Sequence, residues 1–435
     1  MTLSRARVLP VLVAVVLAVG LLLAGAVLGA PDDVADGPVA SSAEAAAPGS
    51  IEALQARLAD LPGDYPGWAA LGQLYVDRAR TTADPAWYAK AQQALDRSLE
   101  EQPEDNAVAL TGLASLQASQ HDFAAAEASA RRALEVNAFD PTAYGVLTDA
   151  LTELGRYDEA AGALQQMADV DPGFAALTRI SYARELRGDT AGAQAAMQSA
   201  LDSAGSGADA GFALLHLGEL AWAYDGDPAA AQVHFEQGLV RDPESLALQA
   251  AAARAAAAQG RTEEAMAAYE RVTARVPVQQ YLVEHAELLA AAGRPEEAAD
   301  QLELVRTSIT LLEAGGSVVD LETALFEADH GTPEDALAAA RAAYDARPGN
   351  VFAADALAWA LHASGRSAEA LTFSEQALAL GARPASFLYH QGMIAEAAGQ
   401  PDLARASLTE ALEVNPHFSV AHAATARETL ARLGG

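Results

Sequence analysis

The chain has 435 residues, which is too long for one compact domain and predicts either several domains or a repeat array. Its formal charge of −32 argues against nucleic-acid binding, and the absence of cysteine excludes disulfides, thiolate chemistry and cysteine-ligated zinc. Apolar residues make up 51% of the chain but aromatic residues only 6%, and the abundant alanine favours closely packed helices. We therefore expect an all-α protein, whose acidic surface is either a set of solvated helix faces or a means of steering a basic partner.

The first predicted element is the uncharged apolar segment 8–30, which follows Arg5 and Arg7. Its length of about 23 residues is enough to cross a hydrocarbon layer ~30 Å thick. Because both arginines precede it, residues 1–30 are predicted to be a cytoplasmic stub and transmembrane signal anchor, with the rest of the chain outside the cytoplasm. A cleaved signal peptide, which would give a secreted protein, is the alternative. Residues 31–50 are rich in Pro, Gly, Ser and Ala and predict a flexible linker.

From residue 51 to residue 435 a sequence pattern recurs: a turn containing Gly, a polar or acidic pair, and an alanine near the start of a long amphipathic helix. It reads GRYDEAAGALQQMADVDP from Gly155 and GRTEEAMAAYERVTARVP from Gly260. Successive copies are about 33–34 residues apart, with two steps of about 38. We expect two helices to cross closely at the alanine, because only a methyl group fits there. These alanines are Ala91, Ala126, Ala160, Ala193, Ala231, Ala265, Ala298, Ala336, Ala370 and Ala404.

The first helix of the repeat carries the other half of the pattern. Trp68, Leu71, Gly72 and Tyr75 form the sequence W-x2-L-G-x2-Y. Together with the period, this motif resembles the tetratricopeptide-repeat (TPR) family over nearly everything after residue 50. The resemblance implies a right-handed superhelical solenoid of about ten helical hairpins, and a lone helix at 418–435 would cap it. Residues 202–211 and 307–320 are expected to be loop insertions between repeats.

The common catalytic and nucleotide-binding motifs are missing from the sequence. It contains no G-x-S-x-G, H-E-x-x-H, P-loop or G-x-G-x-x-G motif, and its nine histidines are scattered without metal-ligand spacing. We therefore expect no catalytic residues, no metal site, no cofactor and no small-molecule substrate. The protein is predicted not to be an enzyme.

The resemblance to the family implies a binding groove on the concave side, lined by the first helices of the hairpins. Counting along those helices predicts eight groove residues with aromatic, imidazole or thioether side chains: Tyr182, Phe212, Trp222, Phe352, Trp359, His362, Tyr389 and Met393. Five acidic residues are predicted among them: Glu185, Glu219, Glu287, Asp355 and Glu396. Exposed aromatic residues surrounded by charge are typical of a binding surface, and Trp359 is the strongest candidate. The alternative for each aromatic residue is packing between neighbouring hairpins.

These patterns together predict a non-catalytic scaffold outside the cytoplasm that binds a partner protein or peptide. Because the predicted groove is acidic, a basic or apolar partner segment fits it better than a terminal carboxylate. Two alternatives remain: an accessory subunit that presents substrate to a separate envelope enzyme, and a cytoplasmic TPR regulator. The use of Ala and Arg with a single lysine, Lys90, resembles that of high-GC bacteria such as actinobacteria.

Overall fold

A computed structural model describes residues 49–82, 84, 86–314 and 321–434. The regular elements within these ranges are 22 α-helices. They are α1 (Ile51–Asp60), α2 (Tyr65–Thr82), α3 (Ala86–Glu101), α4 (Ala107–Ser119), α5 (Phe123–Val136), α6 (Pro141–Glu153), α7 (Tyr157–Val170), α8 (Phe174–Glu185), α9 (Thr190–Asp202), α10 (Gly207–Asp225), α11 (Pro228–Arg241), α12 (Leu246–Ala258), α13 (Thr262–Arg275), α14 (Gln279–Ala291), α15 (Pro295–Ala314), α16 (Leu321–His330), α17 (Pro333–Ala346), α18 (Val351–Ala363), α19 (Ser367–Ala377), α20 (Ala385–Ala397), α21 (Pro401–Val414) and α22 (Val420–Gly434).

The predicted apolar segment 8–30 lies outside the described residues, as does the predicted linker up to residue 48. Among the helices that the structure does describe, none combines the length and the apolar character needed to cross a membrane.

Helices α2 to α21 pair into ten antiparallel hairpins, each made of an A helix followed by a B helix, and α22 follows the tenth. This arrangement confirms the predicted all-α array of about ten hairpins with a C-terminal helix. An additional helix, α1, packs against α2 and buries Leu58. The α1 helix begins after Ser50, whose side chain accepts a hydrogen bond from the Ala53 N–H and so caps the helix.

Close contact between the two helices of each hairpin explains the alanine register. All ten alanines predicted near the start of the B helices are buried, and none is more than 5% exposed. Large B-helix side chains lie against A-helix glycines in the same hairpins. A Cβ on Gly218 would lie 2.3 Å from the Phe235 ring, and one on Gly392 would lie 2.5 Å from Leu408. The small residues therefore set the distance between the paired helices.

Most of the two predicted loop insertions are helical instead. Residues 207–211 form the first turn of α10, a helix of 19 residues that Ser206 caps. Residues 307–314 extend α15 to 20 residues. The expectation of loops at these positions is therefore wrong, because the additional residues lengthen the helices, whereas residues 315–320 are not described.

The array coils tightly enough to contact itself. The turn of the third hairpin, 153–157, meets the joint between the eighth and ninth hairpins, 347–351. Arg347 Nη1 lies 3.2 Å from Glu153 Oε2, and both side chains are nearly buried, at 7% and 12% exposed. The Asn350 side-chain amide donates to the Glu153 carbonyl at 2.9 Å, and the Val351 N–H donates to the Tyr157 hydroxyl at 3.0 Å. These partners are nearly 200 residues apart in the chain.

Two more contacts repeat this pattern along the coil. The Ala382 N–H donates to the Leu186 carbonyl at 3.2 Å, and the Asn415 side-chain amide donates to the Trp222 carbonyl at 2.9 Å. We call this surface the seam: the turns 153–157, 186–188 and 222–226 lie against the joints 347–351, 381–382 and 414–416. Because the third hairpin meets the joint between the eighth and ninth, one turn of the coil spans between five and six hairpins.

Candidate functional site

The interior of the coil is lined by A helices, and on hairpins four to seven it is acidic. Arg254, on α12, lies at the centre of this region. Its Nη2 donates to both carboxylate oxygens of Glu219 at 2.5 Å, and its Nη1 lies 3.5 Å from Glu284. The Arg254 guanidinium also lies over the Trp222 ring, 4.8 Å from the ring centre. The arginine is therefore held between two carboxylates and an aromatic face.

Tyrosine hydroxyl groups also contact acids of this region. The Tyr269 hydroxyl donates to Glu284 Oε2 at 2.7 Å. The pKa of Glu185 is raised to about 7. Burial is the main cause; the hydrogen bond with Tyr224 acts in the opposite direction, and the negative charge of the nearby Glu219 adds to the increase. The Glu185 carboxyl is thus partly protonated at neutral pH, because its surroundings do not compensate the charge.

Hairpins eight to ten contribute an aromatic and imidazole cluster around Trp359. The Trp359 indole stacks on His390, with ring centres 4.3 Å apart, and its Nε1 donates to Asp329 Oδ1 at 2.8 Å. His390 Nδ1 lies 2.9 Å from Asp355 Oδ2, and both side chains are buried. His422 Nε2, on α22, lies 3.4 Å from Asp329 Oδ1. The cluster therefore joins the A helices of three hairpins to the C-terminal helix.

The pKa shifts in this cluster follow from the same contacts. Burial raises the pKa of Asp329, but hydrogen bonds with His422 and Trp359 and the histidine charges bring the net pKa below its usual value. Burial lowers the pKa of His422, whereas Asp329 and Glu287 together raise it above its usual value. Burial lowers the pKa of His362. Asp329 and His422 thus favour the charged pair, which ties α22 to α16.

A cavity of about 530 Å³ lies between the A helices of hairpins five to seven and the C-terminal segment. Its walls include Trp222, Arg254 and Glu287 on one side and Phe418, His422 and Arg427 on the other. The volume falls within the range of about 300–1,000 Å³ that is typical of ligand pockets. The cavity thus brings together residues from two successive turns of the coil.

Four of the residues predicted to line an exposed groove are buried instead: Trp222 (6% exposed), Trp359 (7%), Tyr389 (3%) and Asp355 (2%). The expectation of exposure is wrong for these residues because neighbouring A helices and the C-terminal segment cover them. Phe352 packs against Phe387, next to Tyr157 of the seam. The other predicted residues are partly exposed: Tyr182, Phe212, His362, Met393, Glu185, Glu219, Glu287 and Glu396.

Several residues of the interior are missing from the predicted groove. Glu284, Asp329 and His390 lie on A helices at positions that the counting rule does not select. Phe418 and His422 belong to the segment predicted only to cap the array, but α22 also contacts α14, where Ser419 Oγ donates to Glu287 at 3.2 Å. No local sequence signal identifies these residues, because their proximity depends on the curvature of the whole coil. Across the part of the chain that the structure covers, no group of three or more His, Cys, Asp or Glu residues could hold a metal ion.

Comparisons with known proteins agree with the fold. Models of the tetratricopeptide repeat match residues 111–173, 223–285 and 385–418. No curated protein matches the sequence.

Solved structures that resemble the chain include a thermophilic TPR protein of Thermus thermophilus, with 22% identity over 44% of this chain and 98% of that one and a TM-score of 0.39. Another is a tetratricopeptide repeat protein from Parabacteroides merdae, with 17% identity, 60% and 99% coverage and a TM-score of 0.35. The human IFIT1 dimer with PPP-AAAA is similar at 13% identity, 83% and 85% coverage and a TM-score of 0.44.

Proposed function

Because the chain is a tetratricopeptide-repeat protein, and such arrays present extended concave surfaces for partners, we propose that it is a non-catalytic scaffold that binds a protein or peptide inside its coil. The observation that carries this proposal is the 530 Å³ cavity, which has charged and aromatic walls and receives residues from two turns of the array. A basic or apolar partner segment fits these walls, because carboxylates and aromatic rings line the interior around it.

The proposed location is the outer side of the membrane, with the segment 8–30 as a single-pass anchor. Support comes from the sequence alone, where Arg5 and Arg7 precede the uncharged run. In cells whose layers outside the cytoplasmic membrane have been removed, while that membrane stays intact, added protease should digest the repeat array and leave a cytoplasmic control protein intact. Protection of the array until the membrane is lysed would contradict the location.

Partner binding can be tested with a photoreactive amino acid at two phenylalanine positions. Phe418 lines the cavity, whereas Phe139 is 77% exposed on a joint between hairpins. A benzoylphenylalanine at position 418 should crosslink a discrete protein in cells, and the same residue at position 139 should not. Capture of the same protein from both positions, or capture from position 139 alone, would contradict binding in the interior.

A further inference from the structure

The cavity beside Glu287 is lined by acidic, basic, aromatic and aliphatic side chains. It lies where α10, α12 and α14 face the joint 416–419 and the first turns of α22. A ligand there touches both turns of the coil at once. The charges on its walls decide which ligands it accepts.

The two arginines that line the cavity already have hydrogen-bond partners, and His422 lies 3.4 Å from Asp329. Arg254 is bound by Glu219 and Glu284 and lies over Trp222. Arg427 donates to the Pro416 carbonyl at 2.6 Å. An anionic ligand at Arg254 would therefore have to displace Glu219 or Glu284.

Glu287 is in the opposite situation. Ser419 Oγ donates to Glu287 Oε2 at 3.2 Å, and within the described residues no arginine or lysine forms an ion pair with it. Burial is the main cause of a raised pKa for Glu287, whereas the nearby His422 lowers it and Asp329 raises it. The carboxylate has lone pairs left for a donor that carries a positive charge.

The surfaces around Glu287 fit an aliphatic chain. Val283 and Leu288 lie on the same helix, and Phe418 lies across the cavity. Lysine and arginine side chains combine a charged end with a methylene stem, so that the end can meet a carboxylate while the stem contacts apolar walls. The Arg254 guanidinium over Trp222 shows that the interior already holds one cation in this manner.

We propose that this cavity binds the positively charged side chain of a lysine or arginine in the partner segment, with Glu287 as the counter-ion. The inference rests on the proposed function, because it names the chemistry of the partner that the interior holds.

The test uses acetylated and amidated Gly-Gly-X-Gly-Gly peptides, with X as lysine, arginine or the uncharged norleucine, titrated into the full chain and followed by NMR. The lysine and arginine peptides should bind at least about tenfold more tightly than the norleucine peptide, because a charged hydrogen bond is lost in the latter. Glu287→Gln should remove this preference while its amide oxygen still accepts from Ser419. Glu410→Gln should keep the preference, because Glu410 is paired with Arg383 outside the cavity.

Equal binding of the charged and uncharged peptides, or an unchanged preference in Glu287→Gln with the wild-type melting temperature, would overturn the inference. If benzoylphenylalanine at position 418 still captures a partner in that case, only the cation site is wrong. If neither the peptide preference nor the capture is observed, the proposed function fails with it.

Discussion

The turns of the seam and the open turns of the array share one local structure but differ in their surroundings. Gly155 in the seam has a φ of +74°, and Gly260 in the open turn of the sixth hairpin has a φ of +79°. A Cβ on Gly155 would lie 2.1 Å from the carbonyl carbon of Gly349, whereas one on Gly260 would meet nothing within 4 Å. Glycine at an open turn is therefore needed only because the backbone there has a positive φ. Glycine in the seam is also needed because a side chain would prevent contact between distant hairpins.

The same contrast holds for ion pairs. The Arg347–Glu153 pair of the seam is nearly buried, whereas the pair between Arg383, just before α20, and Glu410, on α21, lies at the surface, with side chains 46% and 36% exposed. The ion pair of the seam is thus shielded from water as in a protein interior, although it joins segments nearly 200 residues apart.

The largest expected effect comes from breaking the buried ion pair. Arg347→Met leaves the Glu153 carboxylate buried without its arginine, which costs about 3–5 kcal/mol. Arg383→Met removes an exposed pair and costs less than about 1 kcal/mol. Urea titrations of both variants measure the difference. Similar losses in the two would show that the seam contributes little to stability.

A glycine pair gives the next largest effect. Gly260→Ala should lower the free energy of unfolding by about 1–2 kcal/mol. The cause is the left-handed backbone conformation, which is unfavourable for alanine, because the added methyl group itself meets no other atom. Gly155→Ala should cost at least about twice as much, because its methyl group overlaps the backbone of Gly349. Thermal unfolding measures both, and small-angle scattering should show an expanded coil only for Gly155→Ala. An equal cost with unchanged scattering would argue against a closed seam in solution.

The smallest effect concerns pH, and it compares a partly exposed acid inside the coil, on the fourth hairpin, with an exposed acid of the seventh. The folded-state pKa of Glu185 is raised from 4.5 to about 7, so the folded protein holds this proton more tightly than the unfolded chain does. This contribution to stability is lost as the pH rises from about 4.5 to about 7. Glu185→Gln should remove that loss and make the protein more stable than the wild type at pH 8.

The matched control is Glu297→Gln. A hydrogen bond from Arg294 lowers the pKa of the exposed Glu297, so its replacement should leave the loss between pH 5 and pH 7 in place. Melting temperatures at pH 5 and pH 8 for the two variants provide the measurement. A Glu185→Gln variant that keeps the wild-type pH dependence would show that Glu185 is not the group responsible.

The hairpins could be predicted from the sequence because they depend on neighbouring residues. The alanine register and the turn glycines each act within one repeat, and both lie where the period places them. The seam could not be predicted in this way, because it results from small rotations between repeats that add up over five to six hairpins. The groove residues were therefore only partly accessible to sequence reasoning: Trp222 and Trp359 are on A helices as expected, but the coil covers them.

Closure of the coil is the central claim, and the cysteine-free chain allows a direct test of it. One cysteine replaces Arg187, and the second replaces either Asp158 in the adjacent hairpin or Ala382 across the seam; a short bismaleimide is then added to the purified full chain. The Arg187 and Asp158 side chains lie 3.8 Å apart, so that pair should be linked whatever the curvature of the array. The Arg187–Ala382 pair should be linked within one chain equally well if the seam is closed. Linking of the first pair without the second would contradict the closed coil.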